Sequence, residues 1–84
     1  MSTRTIVADV QPAAHARRPL FAVYGVYAGG PQLFDAPIMR PLRAGDIAEL
    51  GGRFVRMVAN HNGQRLQTVD VHDEVCAAFE RRGA

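Results

Sequence analysis

The sequence predicts a mainly β domain: a small antiparallel β-barrel or roll, of SH3-like or OB-like size, with about five strands and a short C-terminal α-helix. Three observations predict it. Leu20 to Ala28 form an unbroken apolar run rich in aromatic and β-branched side chains. Gly45 to Val71 hold three short β-type runs separated by Gly51-Gly52 and Asn62-Gly63, dipeptides that favour tight hairpins. After Val71 the pattern turns helical, with acidic residues first and arginines last. At 84 residues the chain makes one domain, 1–84, with a single core.

The first candidate strand is Thr5-Ile6-Val7-Ala8-Asp9-Val10. Residues 11–19, flanked by Pro12 and Pro19, read as an extended connection between the first two strands, or as an arm that reaches a partner. The run from Leu20 to Ala28 is apolar on both alternating faces. It therefore needs cover on both sides, as a central strand or within a subunit interface. Gly25 inside it predicts a bulge or bend, and Gly29-Gly30-Pro31 ends it. Residues 32–44 have no clean period. Pro37 and Pro41 argue against a helix and against a central strand. The expectation there is a loop with an edge strand near Leu33–Phe34, its hydrophobes packing as a satellite of the core, with a docking surface as the alternative.

In the last hairpin, a two-residue Asn62-Gly63 turn sets Ala59 opposite Leu66, Arg56 opposite Val69 and Phe54 opposite Val71. One face then carries Phe54, Val58, Val69 and Val71 with Arg56 and Gln67. The other carries Val55, Met57, Ala59 and Leu66 with Arg53, Thr68 and Asp70. Apolar groups on both sides predict burial on both sides, one of them against another subunit. For the helix, Asp73 is the expected cap, with Glu74 in the first turn, Arg81 and Arg82 in the last, and Gly83 after them. Val75, Cys76 and Phe79 make its apolar stripe.

Composition narrows the function. All ten basic residues are arginine, but eight carboxylates leave a formal net charge of only +2. That is weaker than the basic footprint of a dedicated nucleic-acid binder. One cysteine cannot form an internal disulfide, which suits a reducing compartment. Met1-Ser2-Thr3-Arg4 is not followed by a long apolar run, so no secretory leader is expected. The run at 20–28 is too short to span a bilayer, so no membrane partner is expected either. The expected location is cytoplasmic, or the virion if the chain is of phage origin. The glycine pairs lack P-loop or dinucleotide spacing, and the carboxylates are scattered.

His72 and Cys76 are four residues apart, a spacing that on a helix suits a metal or a thiolate–imidazole pair. Yet Cys76 lies among Val75, Ala77, Ala78 and Phe79, where a small buried thiol is the ordinary occupant. No second cysteine completes a zinc site. No catalytic residue, metal or cofactor is therefore expected, and the chain reads as a non-enzyme. His61 sits at the hairpin tip, where it is either turn chemistry or a contact residue. Arg17, Arg18, Arg53, Arg56 and Arg65, with nearby aromatic rings, are the candidates for a nucleic-acid surface. Arg53 and Arg56 point to opposite faces, however, and Asp70 is close enough to neutralise Arg53.

Leu42-Arg43-Ala44-Gly45-Asp46, then Leu50 to Val58, then Gln64 to Val69, resembles the closing strands of phage head–tail joining proteins over about a third of the chain. Those are small β-barrels that stack as rings in the virion neck, so the resemblance implies assembly by protein contact. The functional expectation is a non-catalytic interaction or assembly subunit, forming a homo-oligomer or binding a protein partner. A phage virion component or a mobile-element accessory protein fits that description. Its contact residues are expected at Phe21, Tyr24, Tyr27, Val55, Met57 and His61. A small-barrel nucleic-acid-binding protein is the alternative.

Overall fold

The computed structural model describes residues 3–5, 19–60 and 65–83. They form one antiparallel sheet and one helix. The strands are β1 (Thr3–Thr5), β2 (Phe21–Tyr27), β3 (Pro31–Arg40), β4 (Asp46–Leu50), β5 (Arg53–Ala59) and β6 (Leu66–Asp70), followed by α1 (His72–Gly83). The order across the sheet is β1-β6-β5-β4-β2-β3. Five strands carry the fold, and β1 adds three residues at one edge. That edge and β3 are not paired with each other, so the closure expected of a barrel is absent among the described residues. The expected strand at Thr5–Val10 coincides with β1 only at Thr5, and residues 6–18 lie outside the described residues.

Strand β2 is central, between β3 and β4, as its two apolar faces require. The bulge expected at Gly25 is there: the register shifts between Val23 and Gly25 against both neighbours. A Cβ at Gly25 would stand 2.3 Å from the Gln32 carbonyl oxygen and 2.9 Å from Leu33 Cα. Only glycine allows β2 and β3 to approach so closely. On β3 the same shift is wider, because Leu33 pairs with Gly25 while Ile38 pairs with Val23. Four residues, 34–37, thus stand against Tyr24 alone.

Two expectations are corrected here. Residues 31–40 form a ten-residue strand, not a loop with a short strand at Leu33–Phe34. Pro37 is tolerated because β3 is an edge and 34–37 are irregular. The helix starts at His72, before Asp73. The Val71 carbonyl accepts the first helical bond, from the Val75 N–H, and Asp70 Oδ1 accepts the His72 N–H at 3.0 Å. The side chain that satisfies a free N–H at this end is therefore three residues upstream of the expected cap.

The hairpins follow the expected register. Gly51 and Gly52 both have positive φ, 60° and 78°, which a two-residue turn between Leu50 and Arg53 demands. Ala59 pairs with Leu66 and Arg56 with Val69. The Val71 N–H reaches the Phe54 carbonyl. The turn at 61–64 lies outside the described residues.

Both sheet faces are apolar. Val23, Leu42, Ala48, Val55, Met57 and Leu66 form one buried cluster, with Phe21 and Phe34 against it. Ile47, Val71 and Val75 form the other, with Tyr24, Tyr27, Leu33 and Phe54 around them. Alternation along β5 sends Val55 and Met57 to the first and Phe54 to the second. Helix α1 covers the second through Val75 and Ala78, its buried residues. Cys76 is only half-buried and Phe79 stays at the margin, so the expected Val75–Cys76–Phe79 stripe is rotated.

The loop from β3 to β4 closes over the first cluster by an ion pair. Asp46 is 2% exposed, and its carboxylate accepts from Arg40 Nη1 at 2.7 Å, Arg40 Nη2 at 2.8 Å and the Arg43 N–H at 2.8 Å. Gly45, at φ 90°, donates to the Met57 carbonyl and accepts from the Tyr27 N–H. These bonds pin Leu42 into the core.

Candidate interaction surface

The sequence-predicted contact residues separate into three groups. Val55 and Met57 are buried inside the chain, Met57 at 1% exposure, and offer no surface to a partner. Their apolar area is spent on the chain's own core, a correction to the expectation that they face another subunit. Phe21, Tyr24 and Tyr27 are half-buried. Phe21 packs on the first cluster, and the two tyrosines border the second. His61 lies outside the described residues.

The tyrosines are held by polar partners. Tyr24 meets the Phe54 ring edge-on, 5.3 Å between centroids, and its hydroxyl reaches Glu49. Tyr27 donates its hydroxyl proton to Glu74, at the start of α1. That acceptor raises the Tyr27 hydroxyl above the ordinary tyrosine range, with desolvation acting the same way. The Arg56 guanidinium lies 4.6 Å from the centre of the Tyr27 ring. Tyr27, Arg56 and Glu74 thus form a self-contained tie between sheet and helix.

Among the described residues, the candidate nucleic-acid residues Arg53, Arg56 and Arg65 are not brought together. Arg53 donates to Asp70 through Nε at 2.5 Å and Nη2 at 3.3 Å. This pair holds the Asp70 carboxyl down at about 2, the Arg53 hydrogen bond contributing most and the His72 N–H next. Arg56 is stacked on Tyr27, on the opposite face from Arg53. Arg65 is exposed at the end of the hairpin, while Arg17 and Arg18 lie outside the described residues.

Sequence spacing brings His72 and Cys76 together at the start of α1. His72 Nε2 is 3.5 Å from Cys76 Sγ. The other ring nitrogen, Nδ1, accepts the Phe54 N–H at 3.2 Å, and the ring stacks on Phe54 at 5.8 Å. A neutral imidazole whose Nδ1 accepts carries its proton on Nε2. That proton faces the sulfur. In this tautomer Nε2 has no lone pair with which to take the thiol proton or bind a metal. Asp70 bonds the His72 backbone and not its ring. The arrangement anchors the start of α1 to β5.

Of the two readings of the hydrophobes in residues 32–44, core satellite or docking surface, the outer part of β3 fits the exposed one. Leu20 and Met39 are each 59% exposed and Ile38 is 45% exposed. Ala36 and Pro37 are exposed beside them. Met39 pairs with Ala22 and Ile38 with Val23, so consecutive apolar side chains leave opposite faces at the sheet edge. Leu50 adds a further exposed apolar group. The signal was present in Ala36-Pro37-Ile38-Met39, but two prolines concealed the strand that displays it.

No family model, curated protein or solved structure matches this chain. No helix among the described residues is long and apolar enough to cross a membrane.

Proposed function

We propose that this protein is a non-catalytic assembly subunit that associates with copies of itself through the apolar rim at the outer part of β3. The observation that carries the reading is the exposure of Ile38 and Met39 on the edge strand β3, with Leu20 also exposed just before β2. Apolar groups gathered at an edge mark contact sites more often than scattered ones do. The contact runs through side chains and does not extend the sheet. Pro37 removes a backbone donor from β3, and the irregular 34–37 segment breaks the regular row of edge groups. The local resemblance to head–tail joining proteins favours the same kind of function, and a virion or mobile-element role is the setting in which ring assembly fits.

Light scattering behind size exclusion, with absorbance followed at protein and nucleic-acid wavelengths, tests this reading. A nucleic-acid-free oligomer is the expected result. A monomer that carries nucleic acid would replace it with the nucleic-acid-binding alternative, centred on Arg65 and the remaining arginines.

A further inference from the structure

We infer that Arg82, in the last turn of α1, is a latch that fixes the irregular part of β3 and thereby sets how Ile38 and Met39 are presented. The consequence for presentation rests on the assembly reading above; the latch itself does not. Three observations converge on it. Residues 34–37 lie opposite Tyr24 alone, so the regular ladder to β2 is interrupted there. Arg82 Nη1 donates to the Phe34 carbonyl at 2.9 Å, and Nη2 donates to Asp35 Oδ1 at 2.7 Å. Between the start of β3 and the end of α1 lies an open cleft of about 320 Å³, lined by Pro31, Gln32, Leu33, Ala78, Arg81 and Arg82. Where the two elements stand apart, the Arg82 side chain reaches across.

The two bonds are unequal. Asp35 is fully exposed and its ion pair is screened by water. The Phe34 carbonyl belongs to the interrupted stretch of ladder, and the guanidinium gives it a charge-assisted donor. The planar fork allows one side chain to hold both groups, which a lysine cannot match. Docking of the last turn of α1 and ordering of the outer β3 are therefore coupled. By reciprocity, a contact that holds β3 also holds the end of the helix.

Hydrogen–deuterium exchange on the full chain tests the latch. Arg82→Gln is compared with Arg81→Gln, which removes the same charge from the same cleft but breaks no bond to β3. The expected result is exchange about five- to tenfold faster in peptides covering 33–42 for Arg82→Gln only, with β4, β5 and β6 unchanged. Asp35→Asn is expected to change the same peptides less than twofold. Equal exchange in wild type and Arg82→Gln would overturn the latch, as would equal acceleration by both arginine variants. The comparison is made with all variants at the same oligomeric state, because the proposed contact covers residues 38 and 39 within the same peptides. Failure of the assembly reading appears instead as a wild-type monomer with the latch intact.

Discussion

Asp46→Ala is the perturbation whose cost the structure determines most directly. The carboxylate is 2% exposed and takes three donors, two from Arg40 and one from the Arg43 backbone. Removing it leaves the Arg40 guanidinium, itself only 17% exposed, without its partner in a low-dielectric site. Breaking one half of such a pair costs about 3–5 kcal/mol, most of it from the stranded charge. The whole domain is expected to be stable by about 4–13 kcal/mol, scaling per residue over 84 residues. The variant therefore loses a large fraction of the total. At about 4–8 °C per kcal/mol for a domain of this size, the midpoint falls by more than about 12 °C. Urea denaturation followed by circular dichroism measures the loss. Adding Arg40→Met to Asp46→Ala separates the stranded charge from the lost contact. The double variant is expected to recover part of the stability, because no unpaired charge remains. A loss below about 1 kcal/mol in the single variant, or a double variant less stable than the single, would refute the reasoning.

Three further outcomes are expected. Gly25→Ala forces a Cβ to within 2.3 Å of the Gln32 carbonyl oxygen, so β2 and β3 must part; a loss of about 1–3 kcal/mol by urea denaturation is expected. His72→Ala leaves the Phe54 N–H without its acceptor and removes the stacked ring, for a loss of about 1–3 kcal/mol and faster amide exchange at the start of α1. Asp70 titrates at about 2 in the fold, against an ordinary value near 3.9, so its contribution is fully present above about pH 5. It is lost as the pH falls through about 4 towards 2. The stability gap between wild type and Asp70→Asn should be flat above about pH 5 and close below about pH 4; a gap that widens with acid contradicts the sign.

The β2 strand, both later hairpins and the helix were legible because each rests on a local signal. Gly51-Gly52 demands a turn that only positive-φ residues make easily, and the Asn62-Gly63 expectation put Ala59 against Leu66 before any long-range information was needed. Gly25 announced the bulge for the same reason. What could not be read depended on position in the sheet. Pro37 excludes a central strand but permits an edge, and nothing local shows that β3 is last in the order. Sheet closure failed likewise, since alternation along a strand reports burial and not whether two edges meet. Within the candidate site, the pairing of Arg53 with Asp70 was visible as a cross-strand neighbour. The burial of Val55 and Met57 was expected, but the cover was assigned to another subunit. The Arg82 contact joins residues far apart in sequence and left no local trace.

Sedimentation equilibrium of the wild type beside Ile38→Lys and Met39→Lys tests the proposed assembly surface most directly. Both positions are exposed, so a lysine there leaves the fold intact, which circular dichroism verifies. The account predicts an oligomeric wild type and a shift of both variants towards monomer, with the association constant reduced at least tenfold. Variants that assemble like the wild type, or a wild type that remains monomeric at high concentration, would contradict it.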